Sequence, residues 1–259
     1  MDYLDTRKKY IKKKNEIIQK TRSTMTAYEQ KLFAYSCLVA NELPKEAIKL
    51  GSPLKITFKA KSFFDYYGIA GTGADYEYLK NTLYDLRHIT MQIQDNGRYV
   101  AFGFIDRGLV NENNECEITI GEDVIPYITG IDENSADYTK IPAYEYSKIK
   151  GKYTIKLYEY FLSRHDKQIG KADKRSKKER EMYPLSLDIV LKLDDLKEKL
   201  MIEKLKSYAQ YKRFNSKILK PAIEEINAFT DIYVTYKPQG RPTNKIMFSI
   251  SKKAIIDAE

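Results

Sequence analysis

Apolar side chains recur at helical spacing in two segments of the last hundred residues. In the segment GKYTIKLYEYFL the recurring apolar positions are Tyr153, Leu157, Tyr158, Phe161 and Leu162. In the segment centred on FNSKILKPAIEEIN they are Phe214, Ile218, Ala222 and Ile226, with Leu219 and Ile223 beside them. Side chains spaced by three and four residues share one face of an α-helix, so both segments are predicted to be amphipathic helices.

Two β-rich runs, DIYVTYK and NKIMFSI, follow these helices and are joined by a turn that contains Pro and Gly. Such runs with such a turn predict a β-hairpin. A short helix, DLKEKL, precedes the long one, so this part of the chain combines three helices with a basic hairpin. That is the order of a winged helix, in which one helix enters the DNA major groove and the hairpin contacts the backbone.

The first half of the chain repeats this plan. Thr26 and Glu29 have the spacing of a capping box, which predicts a helix in the segment AYEQKLFAYSCLVAN. Alternating apolar positions predict a short strand over residues 55–58. A short helix is predicted over 62–67, and Gly68 is expected to end it.

A second helix of this half is predicted to begin at Asp75 as its N-cap. Its buried positions are expected to be Leu79, Leu83 and Leu86. The tripeptide Asp-Asn-Gly between TMQIQ and YVAFGFI predicts a hairpin. A third strand is expected over 117–120, and the segment EDVIPYIT is expected to form a short closing helix.

These elements predict an α+β fold with two winged-helix domains in tandem. The segment GIDENSADYTKIPAYEYS is polar, contains Gly and Pro, and suits a linker. The expected divisions are a basic N-terminal arm over 1–14, a first winged helix over 15–130, a linker over 131–147 and a second winged helix over 148–259. A basic run over 167–180 is interpreted as a solvated loop rather than a specific DNA contact.

The charge of the chain favours a polyanionic partner. Its 259 residues carry a formal net charge of +9. Residues 151–259 hold 24 Lys and Arg against 15 Asp and Glu, whereas residues 101–150 hold 4 against 10. DNA would repel the acidic middle, so this part of the chain is expected to face away from the duplex or to meet another protein.

Several classes of site are disfavoured. The chain has two isolated cysteines and two histidines, which suits neither a disulfide framework nor a zinc site, so no metal or cofactor is expected. It lacks a P-loop motif for ATP and the paired histidines of a rolling-circle nickase. Asp194 and Asp195 are interpreted as the N-cap of DLKEKL rather than as a nuclease pair. Without an apolar run of membrane-spanning length or a signal peptide, we expect a cytoplasmic protein.

Several segments of the amino-acid sequence also resemble those of a known family. The segments GKYTIKLYEYF, FNSKILKPAIEEINAFTDIYVTY, GRP and IMFSI resemble the theta-type plasmid replication initiators that bind iterons, the Rep family. NEIIQKTRSTMTAYEQKLFAY resembles the opening of the same family. The resemblance implies a bacterial initiator that binds origin repeats and recruits host initiator and helicase. It also implies a first winged helix that forms a homodimer interface when the protein represses its own promoter.

Candidate DNA-binding residues follow from the predicted elements. Arg and Asn make bidentate contacts to base edges, and Lys and Arg contact phosphates. The second winged helix, as main DNA reader, offers Lys212, Arg213, Asn215, Ser216, Lys217 and Lys220 on its long helix, and Lys237, Arg241, Asn244 and Lys245 on its hairpin. The first winged helix, as the second DNA reader, offers Tyr76, Lys80, Asn81, Arg87 and Arg98. Asn215 falls near the apolar side of an ideal helix, so a capping or turn role is an equal alternative.

The sequence thus predicts a non-enzymatic initiator of plasmid replication that binds double-stranded DNA and takes part in copy control. One alternative is a winged-helix transcriptional regulator without an origin role. A less favoured alternative is a nicking replication enzyme.

Overall fold

The computed structural model describes residues 9–95, 97–129, 137–172, 176, 179 and 185–254. The chain divides into two compact units, Met1–Lys148 and Ile149–Glu259. No helix within the described residues is both long and apolar enough to span a bilayer.

The first unit contains fourteen α-helices and β-strands among the residues described, besides a 3-10 helix at Lys45–Ala47. In chain order they are β1 (Tyr10–Lys14), α1 (Asn15–Lys20), β2 (Thr21–Arg22), α2 (Ala27–Asn41), β3 (Leu54–Lys59), α3 (Ala60–Tyr67), α4 (Gly73–His88), β4 (Thr90–Asp95), β5 (Arg98–Gly103), β6 (Ile105–Val110), β7 (Glu115–Ile120), α5 (Ile125–Ile128), β8 (Tyr138–Pro142) and α6 (Ala143–Lys148).

A winged helix forms the centre of the first unit. Helices α2, α3 and α4 accompany an antiparallel sheet of order β3–β7–β6. The strand alternation is strict in β7, where Cys116, Ile118 and Ile120 are buried. The wing of this unit is therefore the β6–β7 hairpin.

The hairpin predicted from the Asp-Asn-Gly tripeptide exists, but it is not the wing. Strands β4 and β5 pair antiparallel and join β2 in a separate three-stranded sheet. The predicted third strand, seen as β7, pairs instead with β3 and β6. Strand partners depend on long-range packing, which turn chemistry does not specify.

Local capping explains where the long helices of this unit begin. Thr26 caps α2 by accepting from the Glu29 backbone N–H, and the Glu29 carboxylate accepts from the Thr26 backbone N–H, as in the predicted capping box. The cap of α4 is Thr72 and not Asp75, which is a correction. Asp75 instead occupies the third position and accepts from the Thr72 backbone N–H at 2.7 Å. Hydrogen bonds from Thr72 accordingly lower the pKa of the Asp75 carboxyl.

The expected N-terminal arm and linker both contain regular structure, which corrects the divisions predicted from sequence. Strand β1 pairs antiparallel with β8, so the two segments belong to the same unit. Ile11 and Lys13 point inward along β1, and the Lys13 Nζ atom lies 4.6 Å from the centroid of the Phe33 ring. A lysine can be buried in this way because an aromatic face attracts its ammonium group, so a basic run need not be a solvated arm.

The second unit contains the predicted helices and hairpin in the predicted order, together with a strand before the short helix that was not predicted. These are α7 (Lys152–Ala172), β9 (Ser186–Lys192), α8 (Leu193–Lys199), α9 (Tyr211–Phe214), a π-helical turn (Asn215–Leu219), α10 (Lys220–Phe229), β10 (Ile232–Gln239) and β11 (Lys245–Lys252). Helix α7 extends into the expected basic loop, of which 173–175, 177, 178 and 180 lie outside the described residues. Lys192, rather than Asp194 or Asp195, precedes α8 as its N-cap.

The sheet of the second unit has the order β10–β11–β9 and is antiparallel throughout. Its inner face covers a core in which Phe161, Phe214 and Phe248 are completely buried. The first strand of this sheet pairs with the last, as β3 pairs with β7 in the first unit. Both units therefore have the winged-helix topology.

A π-helical turn joins α9 to α10 and was not predicted. It spans Asn215–Leu219, directly before Lys220 and Pro221. Proline lacks a backbone N–H and crowds the preceding turn, which accounts for a widened helix at this place. The buried side chains Phe214, Ile218, Ala222 and Ile226 nevertheless keep the run on the core.

Glu225 on α10 fixes the beginning of α7. Its two carboxylate oxygens accept from the backbone N–H groups of Lys150 at 2.6 Å and Gly151 at 3.2 Å. A carboxylate at a helix N-terminus satisfies unpaired N–H groups and opposes the helix dipole. A Cβ atom at Gly151 would lie 2.5 Å from the Thr154 Oγ1 atom and 2.9 Å from the Glu225 Oε2 atom, so both side chains favour glycine there.

Glu225→Ala should therefore lower the free energy of unfolding of the protein by about 1–2 kcal/mol. The neighbouring Glu224→Ala is the matched control, because Glu224 is exposed and, among the residues that the structure describes, forms an ion pair with Lys220 alone, at 3.8 Å. Its cost should stay below about 1 kcal/mol. Urea denaturation of both variants measures the difference, and equal losses would contradict the capping role of Glu225.

Candidate nucleic-acid interface

An exposed polar surface follows the long helical run of the second unit. Lys212, Arg213, Ser216, Lys217 and Lys220 are exposed, whereas Phe214 and Ile218 beside them are buried. Ser216 donates its hydroxyl to the Arg213 carbonyl oxygen at 3.3 Å. The four cations are therefore displayed on the side of the helix opposite the core, as the helical pattern predicted.

The wing of this unit, between β10 and β11, adds further cations. Lys237, Arg241, Asn244 and Lys245 are all exposed. Gly240 has a φ of +89°, a conformation that an L side chain rarely adopts, so the turn needs glycine there. The Asn244 backbone N–H donates to the Gln239 carbonyl at 3.1 Å, and the Asn244 carbonyl accepts from Leu193 at 2.8 Å, which holds the turn against the start of α8.

The long helix and the wing together form a strongly basic surface. We call it the cation surface, and its members are Lys212, Arg213, Lys217, Lys220, Lys237, Arg241 and Lys245. Glu224 is the one exposed carboxylate within the helix and strands that carry it. Seven positive charges against one negative charge favour a polyanion over a protein of mixed charge.

Asn215 differs from the other candidates on this helix. It is half-buried, and its Oδ1 atom accepts a hydrogen bond from the Tyr236 hydroxyl at 2.7 Å. The contact of this side chain is thus a hydrogen bond to a neighbouring strand rather than the capping or turn contact of the alternative, and it engages the amide oxygen and not the nitrogen. Sequence reasoning missed Tyr236; the available signal was its place in the inward row of β10, after Ile232 and Val234.

The corresponding helix of the first unit, α4, is less basic. Its exposed charged side chains are Glu77, Lys80, Asp85 and Arg87, which sum to zero. Lys80 donates to Glu77 at 2.7 Å. Asn81 is exposed and carries no charge.

Two other candidates of the first unit are placed differently from the expectation. Tyr76 is half-buried, and its ring packs edge-on against Phe64 at 4.9 Å between centroids. Arg98 begins strand β5, in the hairpin that is not the wing. Its side chain is not among those that the structure describes.

The wing of the first unit is acidic, in contrast to the wing of the second. Its turn has the sequence NENNE, and Asn111 closes it by accepting from the backbone N–H of Glu115 at 3.0 Å. Glu115 and Glu117 are ion-paired to Lys59 at 3.4 Å and to Lys55 at 2.6 Å. The predicted acidic region is therefore partly neutralised by the neighbouring strand.

Within the described ranges, no three His, Cys, Asp or Glu side chains are grouped closely enough to hold a metal ion. The two cysteines, Cys37 and Cys116, are buried apart as free thiols. Burial raises the pKa of Cys116 to about 12, so that thiol is held in its neutral form.

Two winged helices in one chain, the second with a basic helix and wing, define a DNA-binding protein of the tandem winged-helix class. The chain belongs to the family of initiator replication proteins. The family described as "Initiator Replication protein, WH1" matches residues 10–162, and "Initiator Rep protein, WH2" matches residues 192–250. The resemblance and the fold predicted from the sequence are thereby confirmed.

The individual relatives of this chain share little sequence identity with it. A curated replication initiation protein of Escherichia coli is 24% identical over 139 residues, which are 53% of this chain and 37% of that protein. The chain thus spans little more than a third of the curated relative that it matches.

Two solved structures share the fold. The Pi initiator protein in complex with iteron DNA has a TM-score of 0.70 at 16% identity, covering 95% of this chain and 98% of that one. Domains 2 and 3 of RctB have a TM-score of 0.50 at 15% identity, covering 99% and 95%.

Proposed function

We propose that this protein initiates replication of a bacterial theta-replicating plasmid by binding directly repeated sites in double-stranded origin DNA. The cation surface carries the proposal, because it displays seven basic side chains on a helix and a wing that can engage one duplex together. Membership of the initiator family supports it. The solved complex of the similarly folded Pi initiator with iteron DNA supports the choice of repeated DNA.

The second winged helix acts as the main reader. The helical run from Tyr211 to Phe229 enters the major groove, where Arg213 and Lys217 reach base edges. Lys212 and Lys220 flank them and contact phosphates, and so do Lys237, Arg241, Asn244 and Lys245 of the wing. Ser216 donates its O–H to the Arg213 carbonyl oxygen, so the lone pairs of its hydroxyl oxygen accept from an amino group on a base edge, such as cytosine N4 or adenine N6.

The first winged helix acts as a second reader and as the dimer interface. Its helix α4 presents Lys80, Asn81 and Arg87 without a net charge, so it adds less binding energy. Tyr76 takes part through its hydroxyl, since its ring is packed inside the unit. Arg98 contacts the backbone from the β4–β5 hairpin. The acidic wing is repelled by phosphates and therefore serves contacts with protein.

Binding strains the duplex and assists the opening of adjacent AT-rich DNA, while the host initiator and helicase are recruited by protein contact. The protein acts in the cytoplasm and requires no cofactor. It neither hydrolyses ATP nor cuts DNA, which agrees with the DNA-binding character of its family. As a dimer it represses its own promoter.

Stoichiometry on two duplexes tests this proposal. A duplex that carries a single copy of the directly repeated site should bind one monomer through both winged helices. An inverted-repeat operator should bind a two-fold symmetric dimer. Sedimentation of each complex measures its mass. A cross-linked dimer that binds direct repeats as well as the monomer does would contradict the proposal, as would a dimer interface confined to residues 151–259.

The same preparation separates the initiator from its alternatives. Incubated with magnesium, a supercoiled plasmid carrying the origin should remain supercoiled; relaxation would indicate a nicking enzyme. Binding to the palindrome but to no direct repeat would indicate a transcriptional regulator.

A further inference from the structure

One hydrogen bond joins the base of the second wing to the long helix. The Tyr236 hydroxyl donates to the Asn215 Oδ1 atom at 2.7 Å. Tyr236 belongs to β10, and Asn215 is the first residue of the π-helical turn. The partners lie 21 residues apart in the chain, so tertiary packing brings them together.

Tyr236 is held firmly on its own strand. It follows Ile232 and Val234 in the inward row of β10, and its register partner on β11 is Phe248. Its ring centroid lies 6.1 Å from that of Phe248, which is completely buried. Burial is the main cause that raises the pKa of Tyr236, so at neutral pH its hydroxyl keeps the proton that it donates.

This hydrogen bond gives the oxygen and the nitrogen of the Asn215 amide different partners. An asparagine amide has one acceptor oxygen and one donor nitrogen with two N–H groups. Tyr236 engages one of the two lone pairs of the oxygen and fixes the direction of the amide, and the nitrogen keeps both N–H groups for a ligand. Arg213, Ser216 and Lys217, on either side of Asn215 in the chain, are exposed on the surface proposed to enter the major groove.

The π-helical turn makes this arrangement geometrically unusual. Asn215 opens a widened turn that precedes Pro221, and such turns are often found at functional sites. Tyr211, at the start of α9, also lies near Tyr236. Burial is the main cause that raises the pKa of Tyr211, and the neighbouring Tyr236 raises it further. The wing base and the helix are therefore in contact around Asn215.

We propose that Tyr236 is a positioning residue that sets the base preference of Asn215, an inference that rests on the proposed DNA-binding function. With its oxygen held by Tyr236, Asn215 donates N–H groups to an acceptor on a base edge. Guanine N7 and O6 and thymine O4 offer such acceptors in the major groove. Adenine also has an acceptor at N7, but its bidentate contact needs the amide oxygen to accept from N6 while the nitrogen donates to N7. The bond to Tyr236 already occupies one lone pair of that oxygen and fixes its direction, which weakens this contact. Asn215 therefore favours guanine or thymine at its position over adenine.

The test compares base preferences on a defined set of duplexes. Wild-type protein first selects its preferred duplex from a pool with a randomised central segment. Every single base-pair substitution of that duplex is then titrated with wild-type protein, Tyr236→Phe, Asn215→Ala and the double variant. Tyr233→Phe is the matched control, because Tyr233 lies on the same strand, is half exposed and faces outward.

Tyr236→Phe should bind the selected duplex about tenfold more weakly, within the range that one base contact contributes. The loss should be confined to one or two positions, where adenine becomes tolerated, and Asn215→Ala should change the same positions. The double variant should match Asn215→Ala, and Tyr233→Phe should match wild type. A uniform loss over all duplexes, an unchanged profile or additive losses would overturn the role of Tyr236.

A second variant keeps the test decisive if Tyr236→Phe does not fold. Asn215→Asp retains oxygen acceptors for the Tyr236 hydroxyl but has no N–H donor. It should lose the preference at the Asn215 position, and a retained preference would overturn the inference. Failure of the wild-type protein to select any sequence would instead contradict the proposed function itself.

Discussion

Raising the salt concentration from about 50 mM to about 200 mM should weaken binding of this protein to its repeat by roughly 500-fold to 6,000-fold. Five of the seven basic side chains of the cation surface are proposed to contact phosphates, and Arg87 and Arg98 of the first unit add up to two more, so five to seven neutralise phosphates. Each such contact contributes about −0.9 to the slope of log affinity against log salt, which gives about −4.5 to −6.3. Titrations by fluorescence anisotropy at several salt concentrations measure this slope.

Single neutralisations separate the cation surface from the other basic residues of the chain. Lys237→Gln on the wing should reduce the magnitude of the slope by about 0.9. Lys49→Gln is the control, because Lys49 is exposed in the first unit between α2 and β3 and is not a candidate contact. A flat salt response of the wild-type protein would remove the DNA-binding proposal, and equal effects of the two variants would remove the assignment to the cation surface.

Arg213→Ala and Lys217→Ala should each weaken specific binding by about 1–3 kcal/mol, because both side chains are proposed to reach base edges. Both are exposed, and neither forms an ion pair within the described part of the chain. Their guanidinium and ammonium groups are thus available to a base. The loss should depend on sequence and be greatest at the contacted positions.

The matched changes in the first unit, Lys80→Ala and Asn81→Ala, should cost less. The Lys80 ammonium is already paired with Glu77 at 2.7 Å, and the exposed charges of α4 cancel. Affinities of all four variants for the same repeat decide between the units. Larger losses in the first unit would mean that it is the dominant reader.

Several features of this protein were predictable from local sequence. The apolar spacing of α7 and α10 predicted helices because it produces one buried face, and Phe161, Phe214 and Ile226 are indeed completely buried. The capping box of Thr26 and Glu29 depends only on residues three apart, and it is present. The exposed cations of the second unit follow from the same periodicity, since the face opposite a core is the face in water.

Other features depended on contacts between distant segments. The basic run before Asn15 reads as an arm, but it becomes β1 because β8 supplies its hydrogen-bond partners more than a hundred residues later. The Asp-Asn-Gly turn predicted a hairpin, but only the competition among strands for partners made β6–β7 the wing. Thr72, and not Asp75, is the N-cap of α4. Asp75 lies at the third position of the helix, where its carboxylate accepts a hydrogen bond from the Thr72 hydroxyl.

The candidate site divides in the same way. The sequence by itself determined which side chains could meet DNA, because charge and helical periodicity are local properties that survive any packing of the units. Tertiary structure alone decided what each can do there: it paired Lys80 with Glu77, and it placed the Asn215 oxygen against Tyr236. These contacts join separate turns or separate elements, and their geometry exists only after a helix forms or a strand folds back against it.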